Sequence, residues 1–356
     1  MTFILRYYSK IGILLLVGLN FFAHEKLVLN WNYVDFDVSL GRGKKYYQNF
    51  FATKGKIRPN VFYNNSKVNI EIIDIYRQIY KKNHFVGRAH NHAVEKIPKR
   101  IHQIWLGKKL PSKYKALQAS WLKYHPNWVH ILWVDNPINF SLGVLLEEGI
   151  DTLEEALFSD KYKGKVVVVD IKKFNIINKD FFSKAKTYGL KSDVLRYELL
   201  YTFGGLYIDI DFGCIKSFDI LNESYEFYSG IAPLNICATL ANGLIAAIPR
   251  HPILKSCIEN MRDSSNKIDK IGGMGWGIRE MAKYGPYYFT NVFLEVVQKY
   301  KDTCVYDNLI VFPPSYFYPL RDNDEKDLDG GKLQDFMQNF PESFAIHFWA
   351  RSWIKD

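Results

Sequence analysis

The chain lacks the marks of a cysteine-stapled or zinc-built protein. Cys214, Cys237, Cys257 and Cys304 are spread over 356 residues with no C-x-x-C pair. No zinc site or disulfide framework is expected, and the thiols read mostly as small buried hydrophobes. There is no P-loop, no G-x-S-x-G and no H-E-x-x-H. Gly272 to Gly277 (G-G-M-G-W-G) has no strand before it and the wrong spacing for a dinucleotide fingerprint, so it reads as a flexible loop. Internal repeats and low-complexity tracts are absent too. The apolar run Ile11–Ala23, thirteen residues behind Arg6 and Lys10, is short for a membrane span. Phe21 and Ala23 occupy the places where a small-x-small cleavage site would stand, so residues 1–30 read as a signal anchor or an N-terminal helix. Location stays open between a single-pass membrane or secretory-pathway protein and a cytoplasmic or secreted effector.

Negative charge is scarce in one place only. Residues 1–100 carry 17 Lys+Arg against 6 Asp+Glu, whereas the other 256 residues carry 30 against 31. The net charge of +10 therefore belongs to the N-terminal arm. Such an arm suits an anionic membrane surface, nucleic acid or a plain solvated basic face, and the neutral remainder argues against nucleic acid as the main substrate. Aromatic residues are plentiful at 16%, which suits a packed globular core.

Residues 31–95 read as an accessory, partly helical region. Ile72, Tyr76 and Ile79 are at helical spacing, and Gly41–Arg58 reads as basic loop. From about residue 96 the pattern becomes strand–helix–strand. Arg100–Trp105 and Trp128–Val134 read as strands, and Ser112–His125 as a helix stopped by Pro126. Val144–Glu148 and Leu153–Leu157 read as helical, and Val166–Val169 as a strand buried on both faces. Helices are expected at Ile253–Met261 and Val292–Lys299, and a strand leading into a proline-aromatic loop over Asn308–Leu320. Alternating strands and helices imply a mainly parallel sheet with ligands at the carboxyl ends of its strands. Asn64, Asn139 and Asn222 each open an N-x-S sequon, which matters only if the chain is secreted.

The most informative stretch is Lys191–Gly213, K-S-D-V-L-R-Y-E-L-L-Y-T-F-G-G-L-Y-I-D-I-D-F-G. Ser192 can cap a helix, Asp193 and Arg196 share one of its faces, and Gly204-Gly205 stop it. In the strand that follows, Leu206, Ile208 and Ile210 point one way and Tyr207, Asp209 and Asp211 the other. The two carboxylates then sit about 6–7 Å apart along the chain, turned away from the core. That oxygen-rich pair suits a hard divalent cation and the phosphates it carries. By this reading Asp211→Ala would leave the fold intact. The bland alternative is a surface turn at the aspartates and an ordinary ion pair between Asp193 and Arg196. Trp105, at the end of its strand, can stack on a nucleobase or pack in the core. His347 beside Trp349 reads by itself as structural.

Taken in order, several segments together resemble the glycosyltransferases whose sugar-binding region contains a D-x-D motif. They are I-P-K-R-I-H-Q-I-W-L-G (97–107), S-W-L-K-Y-H-P-N-W (120–128), L-W-V-D (132–135), S-D-V-L-R-Y-E-L-L-Y-T-F-G-G-L-Y-I-D-I-D (192–211), N-G-L-I-A-A-I-P-R-H-P (242–252), G-P-Y-Y-F-T (285–290) and H-F-W-A-R-S-W (347–353). The family includes fungal and bacterial mannosyl- and hexosyltransferases and, more distantly, the bacterial glucosylating toxins. The resemblance implies an α/β, GT-A-like fold over 96–356, with a single Rossmann-type mixed sheet flanked by helices. It also implies a metal-dependent enzyme moving a hexose from a nucleotide diphosphate sugar (a UDP-sugar or GDP-mannose) to a hydroxyl of a glycan, glycolipid or protein, with retention of configuration. A non-catalytic module binding nucleotide sugar or glycan is the alternative. The implied cofactor is manganese, with magnesium as the substitute. The implied catalytic group is Asp193, Arg196, Asp209 and Asp211. Trp105, Asn242 and Trp353 join them around the donor, and Asp211, Asp209 and His347 hold the metal. Relative to the family, Lys161–Lys186 looks like a lysine-rich insertion, and it bears on the acceptor side.

Overall fold

The computed structural model describes residues 34–41, 66–85, 95–137, 144–145, 153, 157, 159–233, 238–270, 276–320 and 337–350. In chain order the elements are α1 (Phe36–Gly41), α2 (Ser66–Asn83), β1 (Arg100–Trp105), α3 (Ser112–Tyr124), β2 (Val129–Val134), β3 (Val144–Leu145) and β4 (Val166–Asp170). Then come α4 (Lys179–Lys184), α5 (Tyr188–Phe203), β5 (Gly205–Ile208), β6 (Phe212–Cys214), α6 (Asp219–Ser224), β7 (Phe227–Ile231) and β8 (Leu240–Ala247). The rest are α7 (Pro252–Glu259), α8 (Met261–Asp269), α9 (Trp276–Lys283), α10 (Pro286–Lys299), α11 (Cys304–Asp307), β9 (Leu309–Phe312) and β10 (Ala345–His347).

One mixed sheet in the order β3-β4-β2-β1-β5-β8-β7-β9 forms the frame, and β10 pairs with β6 in a separate two-stranded ribbon. The run from β3 to β5 is parallel, β8 is antiparallel to β5 and β7, and β9 is parallel to β7. The sheet is thus α/β and mixed, flanked by helices, with a more antiparallel second half than strand–helix alternation suggested. Val144 and Leu145 are one correction. They pair with Val167 and Val168 as a short parallel strand where helical spacing predicted a helix.

The core explains several quoted segments as architecture. The fully buried His102 ring lies nearly parallel to those of Trp133 and Phe203, with the three centroids 5.8–6.1 Å from one another. Trp133 Nε1 donates to His102 Nδ1 at 3.1 Å, so His102 Nε2 carries the proton toward the Gly204 carbonyl at 2.9 Å. Burial holds this ring neutral, with its pKa pushed down to about 3. In the S-W-L-K-Y-H-P-N-W segment, Ser120 Oγ accepts from Cys214 N at 2.9 Å and Trp121 Nε1 donates to the Phe212 carbonyl at 2.9 Å. His125 Nε2 accepts from Phe218 N at 2.9 Å. This segment is the dock that fixes β6, the strand that follows the aspartates. The sequon at Asn222 is closed off. The side chain is buried, donating to Ile97 O at 3.1 Å and accepting from Tyr228 OH at 2.8 Å.

On the far edge, α2 lies against β9. Asn83 Nδ2 donates to the carbonyls of Tyr306 and Leu309, and Tyr80 OH pairs with Tyr316 OH at 2.8 Å. Cys214 and Cys257 are buried free thiols and Cys304 is an exposed one. No helix among the described residues is long and apolar enough to cross a membrane. Ile11–Ala23, Asn64, Asn139 and most of the Gly41–Arg58 loop lie outside the described residues.

Candidate functional site: a carboxylate–arginine–histidine cluster beyond the sheet

The helix that supplies Asp193 and Arg196 begins one turn earlier than the sequence suggests. Thr187 is the N-cap, its Oγ1 accepting from Leu190 N at 3.3 Å. Ser192 lies inside the helix and donates to the Tyr188 carbonyl at 2.9 Å. At the other end Gly204 and Gly205 adopt φ of 62° and 103°. A Cβ on Gly205 would lie 2.7 Å from the Arg100 carbonyl, so only glycine lets the chain turn straight into β5 beside β1. The register Ile101↔Leu206 and His102↔Tyr207 then puts Trp105 at the carboxyl end of β1 and Asp209 just beyond that of the adjacent parallel β5.

Asp193 and Arg196 are more than a surface pair. The Arg196 side chain is only 4% exposed, with Nη2 2.8 Å from Asp193 Oδ1 and Nη1 3.4 Å from Asp209 Oδ1. Nη1 also donates to the Asn242 carbonyl at 2.6 Å, and Asn242 Nδ2 donates to Asp193 Oδ1 at 2.9 Å. The guanidinium lies 4.6 Å from the centre of the Tyr207 ring, whose hydroxyl donates to Asp209 Oδ1 at 2.7 Å. Burial works against the Arg196 charge, but Tyr207, Asp209 and Asp193 hold it above its ordinary pKa. Burial pushes Asp193 up to about 6 against the pull of Arg196. Asp209 is also raised, by burial first and then by its neighbour Asp211, with Arg196 opposing.

Asp211 departs from expectation. Its side chain is turned inward, 12% exposed, rather than away from the core. Oδ1 lies 3.1 Å from His347 Nε2, Oδ2 accepts from Ala350 N at 2.8 Å, and its own carbonyl accepts from Phe348 N at 3.0 Å. The chain can present both amides because Trp349, between them, takes a left-handed φ of 47°, strain of the sort that gathers at functional sites. Trp349 is fixed by Nε1 donating to Leu320 O at 2.8 Å. Burial disfavours the Asp211 charge, yet His347 and the donated bonds bring its pKa below the usual carboxylate range. One aspartate of the pair is thus held ionised and the other raised.

One ligand atom from each of Asp209, Asp211 and His347 lies within 4.8 Å of the other two. Two carboxylates and an imidazole are a donor set that fits a divalent cation of the magnesium–manganese type. Space is kept by Gly243, where a Cβ would stand 2.7 Å from Asp209 Oδ2, and the Gly243 carbonyl accepts from Asp209 N at 2.8 Å.

The structure therefore gathers Asp193, Arg196, Asp209, Asp211, Asn242 and His347. Trp105 ends β1 partly buried, its Nε1 donating to Lys108 O at 2.7 Å and its ring 5.3 Å from that of Tyr114. Trp353 lies outside the described residues. Asp135 does not reach the cluster, because both its oxygens accept from Gly107 N, at 2.9 and 3.0 Å. The sequence reading missed Tyr207, Gly243 and the Ala350 amide. Tyr207 had a signal, since strand alternation puts it on the face of Asp209.

Residues 111–228 match the family described as the glycosyltransferase sugar-binding region containing a DXD motif. The matched stretch holds one D-x-D, Asp209-Ile210-Asp211. It is 27% identical over 169 residues to inositol phosphoceramide mannosyltransferase 2 of Schizosaccharomyces pombe, across 48% of this chain and 39% of the relative. To the mannosyl phosphorylinositol ceramide synthase SUR1 of Saccharomyces cerevisiae it is 24% identical over 253 residues, across 68% of this chain and 55% of the relative. The chain thus spans about half the length of such relatives, or less. Among solved structures it is similar to the PaToxG glycosyltransferase, with a TM-score of 0.43 and 19% identity over 65% of this chain and 79% of the other. That superposition is too loose to bear on the site.

Proposed function

We propose that the chain is a hexosyltransferase that moves a sugar from a nucleotide diphosphate donor to a hydroxyl acceptor. The observation that carries this is the buried Arg196, shared between Asp193 and Asp209 beside the Asp209–Asp211–His347 cluster. In the reaction the bond from the sugar's anomeric carbon to the diphosphate breaks. A bond from that carbon to the acceptor oxygen forms, the acceptor proton goes to solvent, and the nucleoside diphosphate leaves. Configuration at the anomeric carbon is retained.

Asp209, Asp211 and His347 would hold a divalent cation, manganese in the first instance, which supplies positive charge for the diphosphate. Arg196 adds a second fixed cation whose direction is set by two carboxylates and by the Asn242 carbonyl, so it needs no reorganisation as negative charge develops. Asp193 and Asn242, bonded to each other, offer a carboxylate oxygen and an amide to the hydroxyls of the donor sugar. Trp105 offers a ring to the base. The names of the fungal relatives support a phosphoinositol lipid as acceptor, with glycan and protein hydroxyls as the other classes.

The test is a panel of UDP- and GDP-hexoses with manganese, reading nucleoside diphosphate release and, on an accepting lipid or glycan, the anomeric proton of the product by NMR. Turnover with one donor, lost in Asp209→Asn, supports the reading. Tight donor binding with no release across the panel refutes it and favours the non-catalytic module.

A further inference from the structure

The stretch between β4 and the start of α5 is absorbed neither by the core nor by the site. Residues 171–191 hold six lysines (Lys172, Lys173, Lys179, Lys184, Lys186 and Lys191) and one acid, Asp180. That acid is bridged to Arg262 at 2.8 Å, so it does not neutralise the lysines. Among the described residues none of the six ammonium groups forms an ion pair. All but Lys191 are exposed, and Lys191 rests on the Phe182 ring at 5.2 Å. Phe174, Phe181 and Ala185 turn inward, so the lysines form the outer face of a segment anchored from below.

The second feature is Ile177, 57% exposed at the crest of this segment. It is held there. Glu198, fully buried on α5, accepts from Ile177 N at 2.7 Å through Oε2 and from Asn178 N at 2.8 Å through Oε1. Asn178 Nδ2 donates to Ile258 O at 3.1 Å. A buried carboxylate spent on two amides fixes the turn that presents an isoleucine to solvent, with lysines on both sides of it in sequence.

The third feature is position. The sheet register puts Trp105 beside Val134 and Val134 beside Asp170. The segment therefore leaves the sheet about 10 Å from Trp105, two strand spacings away, at the carboxyl ends of the parallel strands. It returns at Tyr188, whose ring covers Gly107, so close that a Cβ there would be 2.5 Å from the Tyr188 ring. Both ends thus lie at the carboxyl ends of the strands, one beside β2 and one over the residue pair that follows Trp105.

We infer that residues 171–191 form a membrane-docking face, with lysines that pair with the phosphates of an anionic lipid surface and Ile177 inserted among the headgroups. Clustered lysines bind anionic leaflets by adding their attractions within a Debye length, and a fixed aliphatic tip adds apolar burial. Docking of this kind does not require the transferase reading. The further step, that it brings the opening of the site to a lipid acceptor, rests on that reading.

The test is co-sedimentation of the full chain with vesicles of phosphatidylcholine alone or mixed with phosphatidylinositol. Polyglutamate serves as an acidic-polypeptide competitor. The expected result is binding to the mixed vesicles only, weakening as salt rises. In the variant carrying Lys172→Glu, Lys173→Glu, Lys179→Glu and Lys184→Glu, partitioning falls by about a thousandfold or more. Ile177→Ser lowers it about tenfold. Slow hydrolysis of a nucleotide sugar in solution stays at the parent level in both variants, which shows the site intact. Lysine-dependent binding by a chain that hydrolyses no donor keeps the docking face and sinks the transferase reading. Parent-level vesicle binding by the four-lysine variant overturns the inference, since the basic N-terminal arm would then carry the membrane. Polyglutamate binding through these lysines without vesicle binding overturns it in favour of a protein partner.

Discussion

Asp211→Ala separates two views of the second aspartate. If it were a solvent-facing ligand, its loss would cost activity and nothing else. In the structure it is buried and accepts from Ala350 N at 2.8 Å and lies 3.1 Å from His347 Nε2, so it also ties the C-terminal segment to the turn after β5. Hydrogen bonds to a charged group contribute about 1.5–3 kcal/mol each, and the alanine variant loses both and leaves two donors without an acceptor. Against that, the variant removes the repulsion between Asp211 and Asp209 that helps raise the Asp209 pKa. The net cost should be about 3 kcal/mol, a fall of roughly 5 °C in melting temperature for a chain of this size. Asp211→Asn should lose less than half of that, since the amide keeps an acceptor for Ala350 N and offers N–H to a re-tautomerised His347. The pH dependence has a definite sign. Asp211 has a folded pKa below its ordinary value, so its stabilisation is present above the unfolded pKa and is lost as pH falls through the folded one. Thermal melts of the three proteins across the acid range, with manganese titrated calorimetrically into each at neutral pH, check all of this. If Asp211→Ala melts within about 1 °C of the parent and still binds the metal, the inward role assigned to Asp211 is wrong.

Gly243→Ala would place a Cβ 2.7 Å from Asp209 Oδ2 without changing any charge. Asp209 must rotate and lose its bonds to Tyr207 and Arg196, so turnover should drop about a hundredfold with little change in fold, measured by nucleoside diphosphate release against circular dichroism. Asp193, raised to about 6 from an ordinary 3.8, should make donor binding fade as pH drops below about 6, and Asp193→Asn should flatten that profile while weakening binding throughout. The same raised pKa means that the folded state keeps a proton the unfolded chain releases. Asp193 therefore erodes stability as pH rises from 3.8 to about 6, and the asparagine variant should lose that slope in denaturant titrations.

The half of the fold that holds the site was legible for a local reason. β2 and β4 are buried, largely apolar runs and β1 is a short buried strand, bounded by Pro98, by the Asp135-Asn136-Pro137 turn and by Lys172-Lys173, so both length and ends were marked. β8 was not, because all eight of its residues are buried and six of them are Leu, Ile or Ala, which gives neither alternation nor a helical stripe. β6 and β10 are three residues each and exist through each other, at a separation of more than a hundred residues. No local pattern can announce such a pair. Val144–Leu145 failed for the same reason, two residues made a strand by the edge of β4.

The site divides along the same line. Asp193 and Arg196 could be paired from helix geometry, and Asp209 with Asp211 from their spacing, because the members of each pair stand only two or three residues apart. His347, Asn242 and Gly243 come from other parts of the chain, and on its residues alone His347 read as structural. What joins them is the shortness of β5. Had the strand run on through Ile210, Asp209 and Asp211 would have stood in a flat row on one face. Instead β5 ends at Ile208, Phe212 N closes a turn on the Asp209 carbonyl at 3.2 Å, and β6 leaves to pair with β10. That turn sends Asp209 toward Arg196 and Tyr207, and Asp211 toward His347 and Ala350. The D-x-D spacing therefore serves as a hinge between two anchorages, one on α5 and one on the C-terminal strand. This explains why neighbours two residues apart have pKa values moved in opposite directions. It also makes the C-terminal segment part of the site, because a cation held between the two carboxylates would be bound by both halves of the chain at once.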